Sequence, residues 1–186
     1  MIGILAFQGN VAEHRSILAM LGHRTREVRT VGDLDGLTHL IIPGGESTVI
    51  GRFLVMWGLD DPIQERAKTG DLAIFGTCAG AILLAKKALG KNAPITLGLI
   101  DLDADRNAYG TQADSFETEL KVQGIPGAVD VAFIRAPQFS RVGKNVEILA
   151  EHQGKPVLVR QGRILASTCH PEVRGETAIH RLFLSL

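Results

Sequence analysis

Three short runs in the first half of the chain are almost wholly apolar, and each passes into a turn and then a helical pattern. They are residues 2–7, 40–42 and 72–75. A strand that is apolar on both faces must be covered on both, which is the condition of a parallel sheet in an α/β fold. Gln8-Gly9 closes the first run and Pro43-Gly44-Gly45 the second. Val11, Ile17, Leu18 and Leu21 recur at helical spacing before a stop at Gly22. Val49, Ile50, Phe53, Leu54 and Trp57 form a second apolar face ending at Gly58, with Ser47 or Thr48 as the expected cap. Asp61-Pro62 opens a shorter helix, and a further one is expected over residues 79–89. Parallel strands joined by helices make right-handed crossovers, so the first half reads as a doubly wound α/β core.

The second half changes character. Phe116, Leu120 and Val122 alternate with charged residues, as do Val129, Val131 and Phe133. Residues 146–150, 157–159 and 164–166 follow closely, with Gly154 and Gly162 between them. Such short connections leave no room for helical crossovers and predict an antiparallel extension of the sheet. Residues 175–186 close with a helix presenting Ala178, Ile179, Leu182 and Phe183. No repeat or linker interrupts the 186 residues, so one domain over 1–186 is expected: a mostly parallel, flavodoxin-like sheet flanked by helices.

Charge and cysteine content narrow the function. Twenty basic and twenty acidic residues cancel, which leaves no field to hold nucleic acid or an anionic membrane. Arg24, Arg26 and Arg29 read as a solvated face. The apolar start at residues 1–7 has no basic flank or cleavage pattern, and no stretch is long enough to span a bilayer. Two cysteines without metal-like spacing favour a reducing cytoplasm. No grouping of histidines suggests a metal, and His14, His23, His39, His152 and His180 carry no partner signal.

Chemistry concentrates in three places. In Gly76-Thr77-Cys78-Ala79-Gly80 a strand ends and a helix begins, with Cys78 at the corner: a nucleophile elbow with a thiol. Glycines on both sides permit a tight turn, and the new helix places its unpaired N–H groups beside the sulfur, which favours the attacking thiolate. Taken alone, Cys78 also reads as a core cysteine at a strand end. The second place is His170-Pro171-Glu172. In extended backbone, residues two apart point the same way, so Glu172 can accept one imidazole N–H and leave the other nitrogen to the thiol. Cys169 then points into the core. The third is Pro43-Gly44-Gly45-Glu46-Ser47, whose adjacent glycines let backbone N–H groups approach a developing oxyanion. It lacks the lysine of a phosphate-binding loop.

PGGES (43–47), GTCAG (76–80) and HPE (170–172), in this order, resemble the class I (triad-type) glutamine amidotransferases. FQGN (7–10), Arg106-Asn107, ADSFE (113–117) and FIRAP (133–137) narrow the likeness to the glutaminase subunits of pyridoxal 5′-phosphate synthases. Phe7, Tyr109 and Cys169 are small departures from the pattern. The resemblance implies that Cys78 attacks the side-chain amide of L-glutamine. Gly45 and Ala79 N–H groups would hold the oxyanion, and His170, oriented by Glu172, would move the protons. It further implies a substrate pocket of Gly44, Gly45, Glu46, Ser47, Arg106, Ile134 and Arg135, with Glu46 for the ammonium and Arg106 for the carboxylate of glutamine. Ammonia would pass to a separate (β/α)8-barrel synthase subunit, which joins it to a pentose phosphate and a triose phosphate. The glutaminase itself would need no cofactor or metal. Family likeness also implies weak activity until docking, a rearranging turn at 43–46, and Gln8-Gly9-Asn10 near the interface.

Three other functions use the same features differently. A stand-alone cysteine hydrolase of related fold would share the elbow but act without a partner. A glutaminase subunit of another amidotransferase would differ only in its partner. A scaffold with a dead site would lack part of the triad, yet Cys78, His170 and Glu172 are all present.

Overall fold

The computed structural model describes residues 1–106 and 115–186. Asn107, Tyr109 and the first two residues of 113–117 lie outside the described residues. In chain order the first half contains β1 (Ile2–Leu5), α1 (Val11–Met20), β2 (Thr25–Val28), β3 (His39–Ile42), α2 (Ser47–Met56), α3 (Asp60–Thr69), β4 (Ala73–Thr77) and α4 (Ala79–Leu84). The second half adds β5 (Ala85–Leu89), β6 (Ile100–Asp105), β7 (Phe116–Lys121), β8 (Ala128–Phe133), β9 (Gln138–Val142), β10 (Glu147–His152), β11 (Lys155–Gln161), β12 (Ile164–Ser167) and α5 (Ala178–Leu184).

The main sheet has seven strands in the order β10-β11-β12-β4-β3-β1-β2. From β12 to β2 all pairings are parallel, whereas β11 and β10 run antiparallel at one edge. β5, β6 and β9 form a second small sheet, and β7 with β8 an antiparallel hairpin. Every residue of β1, β4 and β12 is buried, as two covered faces require. One face packs Leu5, Leu40, Ile42 and Ile74 against α2, α3 and α4. The other packs Ile4, Ile41 and Phe75 against Leu18 of α1, Ile179 and Phe183 of α5, and the hairpin. Chain order reverses between β1 and β3, and the crevice beyond the carboxyl ends of such strands is where α/β folds hold ligands. Among the described residues no helix is long and apolar enough to cross a membrane.

Several local expectations change. The helix expected over 79–89 stops at Leu84, and the chain turns extended at Ala85 (ψ 151°). Residues 97–99 take up the helix's last carbonyls, Leu97 N–H donating to Leu83 O and Leu99 N–H to Leu84 O, while β5 pairs with β6. Tertiary pairing outweighs helix propensity there. Glu46, not Ser47 or Thr48, caps α2, its carboxylate accepting from the N–H groups of Thr48 and Val49. Trp57 and Val49 face solvent, and only Ile50, Gly51 and Leu54 carry the inner face with Ser47. The segment around Arg24, Arg26 and Arg29 contains β2. Arg26 donates to the carbonyls of Asp33 and Asp35, and Arg29 Nε to Ala6 O, so these two brace backbone.

α4 is buried at every position, which demands very close backbone approach. A Cβ on Gly80 would overlap the carbonyl of Ile42 at the end of β3, and one on Gly76 would meet the backbone of Gly80. Neither glycine has a positive φ, so what they supply is proximity. Gly80→Ala is expected to cost about 2–3 kcal/mol through overpacking that backbone can relieve only by moving. That corresponds to a thermal midpoint lower by about 4–12 °C for a chain of this size, measurable by circular dichroism.

Candidate active site

β12, β4, β3 and β1 are neighbours in the sheet, and the three sequence features leave their carboxyl ends side by side. Cys78 follows β4 with φ 49° and ψ −102°, a conformation costly for a residue with a Cβ. Its N–H donates to Ser167 O at 2.8 Å, which ties the corner to β12. The thiol is nearly enclosed, 8% exposed, and donates to Ile134 O at 3.8 Å. The backbone strain expected of the elbow therefore falls on Cys78 itself, while the flanking glycines bring α4 close.

His170 lies just beyond β12 and is held to β8 through a bridge to Ala132, with N–H to O distances of 2.7 and 3.3 Å. Pro171 then turns into a 3₁₀ segment, Glu172–Arg174. His170 and Glu172 thus meet through a turn and not along extended backbone, as the sequence suggested. Nδ1–H of His170 donates to Glu172 Oε1 at 2.7 Å, which leaves Nε2 for the Cys78 sulfur. Burial disfavours the imidazolium, but hydrogen bonds with Cys78 and Glu172 outweigh it and raise the His170 pKa to about 10. Burial likewise disfavours the Glu172 carboxylate. Nearby His14 and the bond from His170 outweigh this and lower its pKa to about 2. Asn10 Nδ2–H also donates to Glu172 Oε1, at 3.1 Å. Cys169 points into the core, wholly buried, and burial pushes its pKa up to about 12.

The glycine turn lies against the imidazole: a Cβ on Gly44 would overlap His170 Cε1. Gly44 N–H donates to Thr77 Oγ1 at 3.1 Å, and Gly44 O accepts from Asn10 N–H at 3.2 Å, on the β1 side. Among the described residues no peptide bond is cis, so Gly45 N–H points away from the side on which Gly44 O meets Asn10. Neither Gly45 N–H nor Ala79 N–H, the first of α4, has an acceptor among the described residues. Ala79 N–H belongs to the residue that follows the thiol and begins α4. Gln8 Nε2 donates to Glu46 O at 3.0 Å and braces the far side of the turn.

The remaining pocket positions divide into two groups. Ile134 and Arg135, with φ 46° at Arg135, follow β8 past the thiol. Glu46 and Arg106 pair with each other at 3.0 Å, and Arg106 also reaches Thr48 Oγ1 and Asn92 O. They therefore form one dipolar unit beside the turn, and a substrate zwitterion would have to share this pair. Ser47 is buried in the first turn of α2. Sequence reading missed Asn10, Thr77, His14 and His180 as members of the site. His14 with Ile17 and Leu18, and His180 with Ile179 and Phe183, sit on the buried stripes of their helices, which was the available signal. Among the described residues no group of three His, Cys, Asp or Glu side chains is placed to hold a metal ion.

A cysteine, imidazole and carboxylate converging at the rim of an α/β sheet define a triad-type acyl-transfer enzyme. The profile of the SNO glutamine amidotransferase family matches residues 4–186, and the chain belongs to that family. It is 49% identical over its whole length to the pyridoxal 5′-phosphate synthase subunit PdxT of Thermus thermophilus, covering 96% of that protein. It is also 49% identical to the subunit of that name from Herpetosiphon aurantiacus, covering 99%. A crystal structure of a glutamine amidotransferase superposes with TM-score 0.95 at 47% identity, across 99% of this chain and 97% of that one.

The buried ionisable groups make stability depend on pH in a defined way. Burial, with His14 beside it, lowers the His180 pKa from 6.5 to about 3, and burial lowers that of His14 as well. As pH falls from 6.5, the unfolded chain takes up protons there that the native state refuses. Stability then drops by about 1.4 kcal/mol per pH unit for each such group. Glu172 adds to this loss below 4.5. His170 acts oppositely: its stabilisation is complete below 6.5 and is lost as pH rises through about 10. Thermal midpoints followed by circular dichroism should fall on both sides of about pH 6.5. A midpoint unchanged between pH 6.5 and 4 would contradict the buried neutral histidines.

Proposed function

We propose that this chain is the glutaminase subunit of a pyridoxal 5′-phosphate synthase, hydrolysing L-glutamine and delivering ammonia to a synthase subunit. One observation carries the reading: thiol, imidazole and carboxylate lie at adjacent strand ends, in a chain whose relatives at 49% identity are named as that subunit.

The reaction follows from the geometry. Cys78 passes its proton to His170 Nε2 and attacks the amide carbon of glutamine. Charge builds on the carbonyl oxygen, within reach of the Gly45 and Ala79 N–H groups. Loss of one such donor costs about 3–4 kcal/mol in comparable enzymes. His170 then protonates the departing ammonia, leaving a γ-glutamyl thioester on Cys78. Water, deprotonated by His170, attacks the thioester, and glutamate leaves as the thiol is restored. Glu172 keeps the imidazole in one tautomer and stabilises its charged form. The Glu46–Arg106 pair, with Gly44, Ser47, Ile134 and Arg135, holds the amino-acid end of the substrate.

Ammonia is consumed by a (β/α)8-barrel synthase subunit in a hetero-oligomer, which is also where pyridoxal 5′-phosphate forms and binds. Assembly takes place in the cytoplasm, in keeping with two free thiols. The test is glutamate and ammonia release by the chain mixed with its synthase subunit. Cys78→Ala should lower both about 1,000-fold or more while still binding the partner. Undiminished release by the variant, or efficient peptide cleavage by the chain alone, would overturn the reading.

A further inference from the structure

Two histidines outside the triad are completely buried, and the chemistry above uses neither. His14 lies on α1 and His180 on α5. Burying a polar ring costs free energy unless its nitrogens are paired, and both nitrogens of His14 are engaged. Nδ1 is 2.9 Å from His180 Nε2. Nε2 is 3.1 Å from Thr77 Oγ1 and 3.5 Å from Glu172 Oε1. A proton on His14 Nε2 faces both Thr77 Oγ1 and the Glu172 carboxylate, and with it in place His14 Nδ1 accepts from His180 Nε2–H. Thr77 Oγ1 also receives the N–H of Gly44, in the turn that carries the Gly45 donor.

We infer that His14 is a positioning residue of the glutaminase: one imidazole fixes the carboxylate that orients His170 and, through the Thr77 hydroxyl, the glycine turn. This rests on the glutaminase reading above. Packing alone does not account for the arrangement, since an apolar ring would fill the space without linking triad and turn. Burial lowers the His14 pKa against the pull of Glu172, which disfavours a second cation competing with His170. Asn10 joins the same two parts in parallel, through Nδ2–H to Glu172 and its backbone N–H to Gly44 O. Loss of His14 should therefore impair the reaction and not abolish it.

The test compares His14→Phe with His14→Gln, and Thr77→Val with Thr77→Ser, each assembled with the synthase subunit and assayed for glutamate release. Phe and Val should lower kcat about 10–100-fold, the size of effect known from losing the outer partner that orients a ligand at metal sites. KM should stay within about threefold, because the Glu46–Arg106 pair is untouched. Gln, whose amide reaches the place of Nε2, and Ser should recover most of kcat. A second readout needs no partner: the rate at which iodoacetamide alkylates Cys78 in the isolated chain, followed by mass spectrometry. It should slow with Phe and Val and recover with Gln and Ser, while buried Cys169 stays unlabelled. Wild-type kcat and alkylation in the Phe and Val variants would overturn the inference, as would a Gln variant impaired as badly as Phe. If His14→Phe does not fold, the Thr77 pair decides. If the wild-type complex releases no glutamate, the glutaminase reading falls, and the alkylation series still tests His14.

Discussion

The contact between the backbone of Gly80 and the carbonyl of Ile42 sets the position of everything chemical in this protein. With no side chain at residues 76 or 80, α4 drops onto β3 and β4 until backbone meets backbone. The first turn of that helix therefore emerges beside the glycine turn after β3, and Cys78 takes a strained positive-φ conformation to join the two elements. The strain stays because the surroundings over-determine it: Ser167 fixes the Cys78 N–H, and the helix beyond is buried throughout. Positioning of the thiol and packing of the core are thus one constraint.

A second constraint is the buried charge on Glu172. Taking a carboxylate out of water is tolerable only when donors replace the solvent. Three residues approach the same oxygen, Oε1: His170, Asn10 and His14. Oε2 has no hydrogen-bond partner among the described residues. Concentrating the donors on one oxygen keeps the charge facing the imidazole it must orient. It also makes stability and catalysis draw on the same contacts, since α1, β12 and the 3₁₀ segment are joined there.

Much of this was legible in the sequence, because the signals were local. Apolar runs over 40–42 and 72–75 mark strands wherever they lie, and Gly76-Thr77-Cys78-Ala79-Gly80 needs only its own spacing to suggest an elbow. The likeness of PGGES, GTCAG and HPE to a known family supplied the order of the parts. What was not legible depended on partners far along the chain. Residues 85–89 continue a helical pattern but pair with β6. Glu46 was expected to wait for a substrate ammonium and is already engaged by Thr48, Val49 and Arg106. His14 and His180 stand 166 residues apart, and only folding puts their rings in contact. Propensity and periodicity carry no information about such meetings, although a histidine on an apolar stripe hints that a polar partner waits inside.

The central claim is that Cys78, and no other thiol, receives the acyl group of glutamine. Its most direct test is covalent labelling with a glutamine-like diazoketone, followed by peptide mass mapping in the presence and absence of glutamine. The geometry predicts a single adduct on Cys78, suppressed by glutamine and much slower in His170→Asn. Labelling of Cys169 instead, or an adduct on Cys78 indifferent to both glutamine and His170, would contradict it.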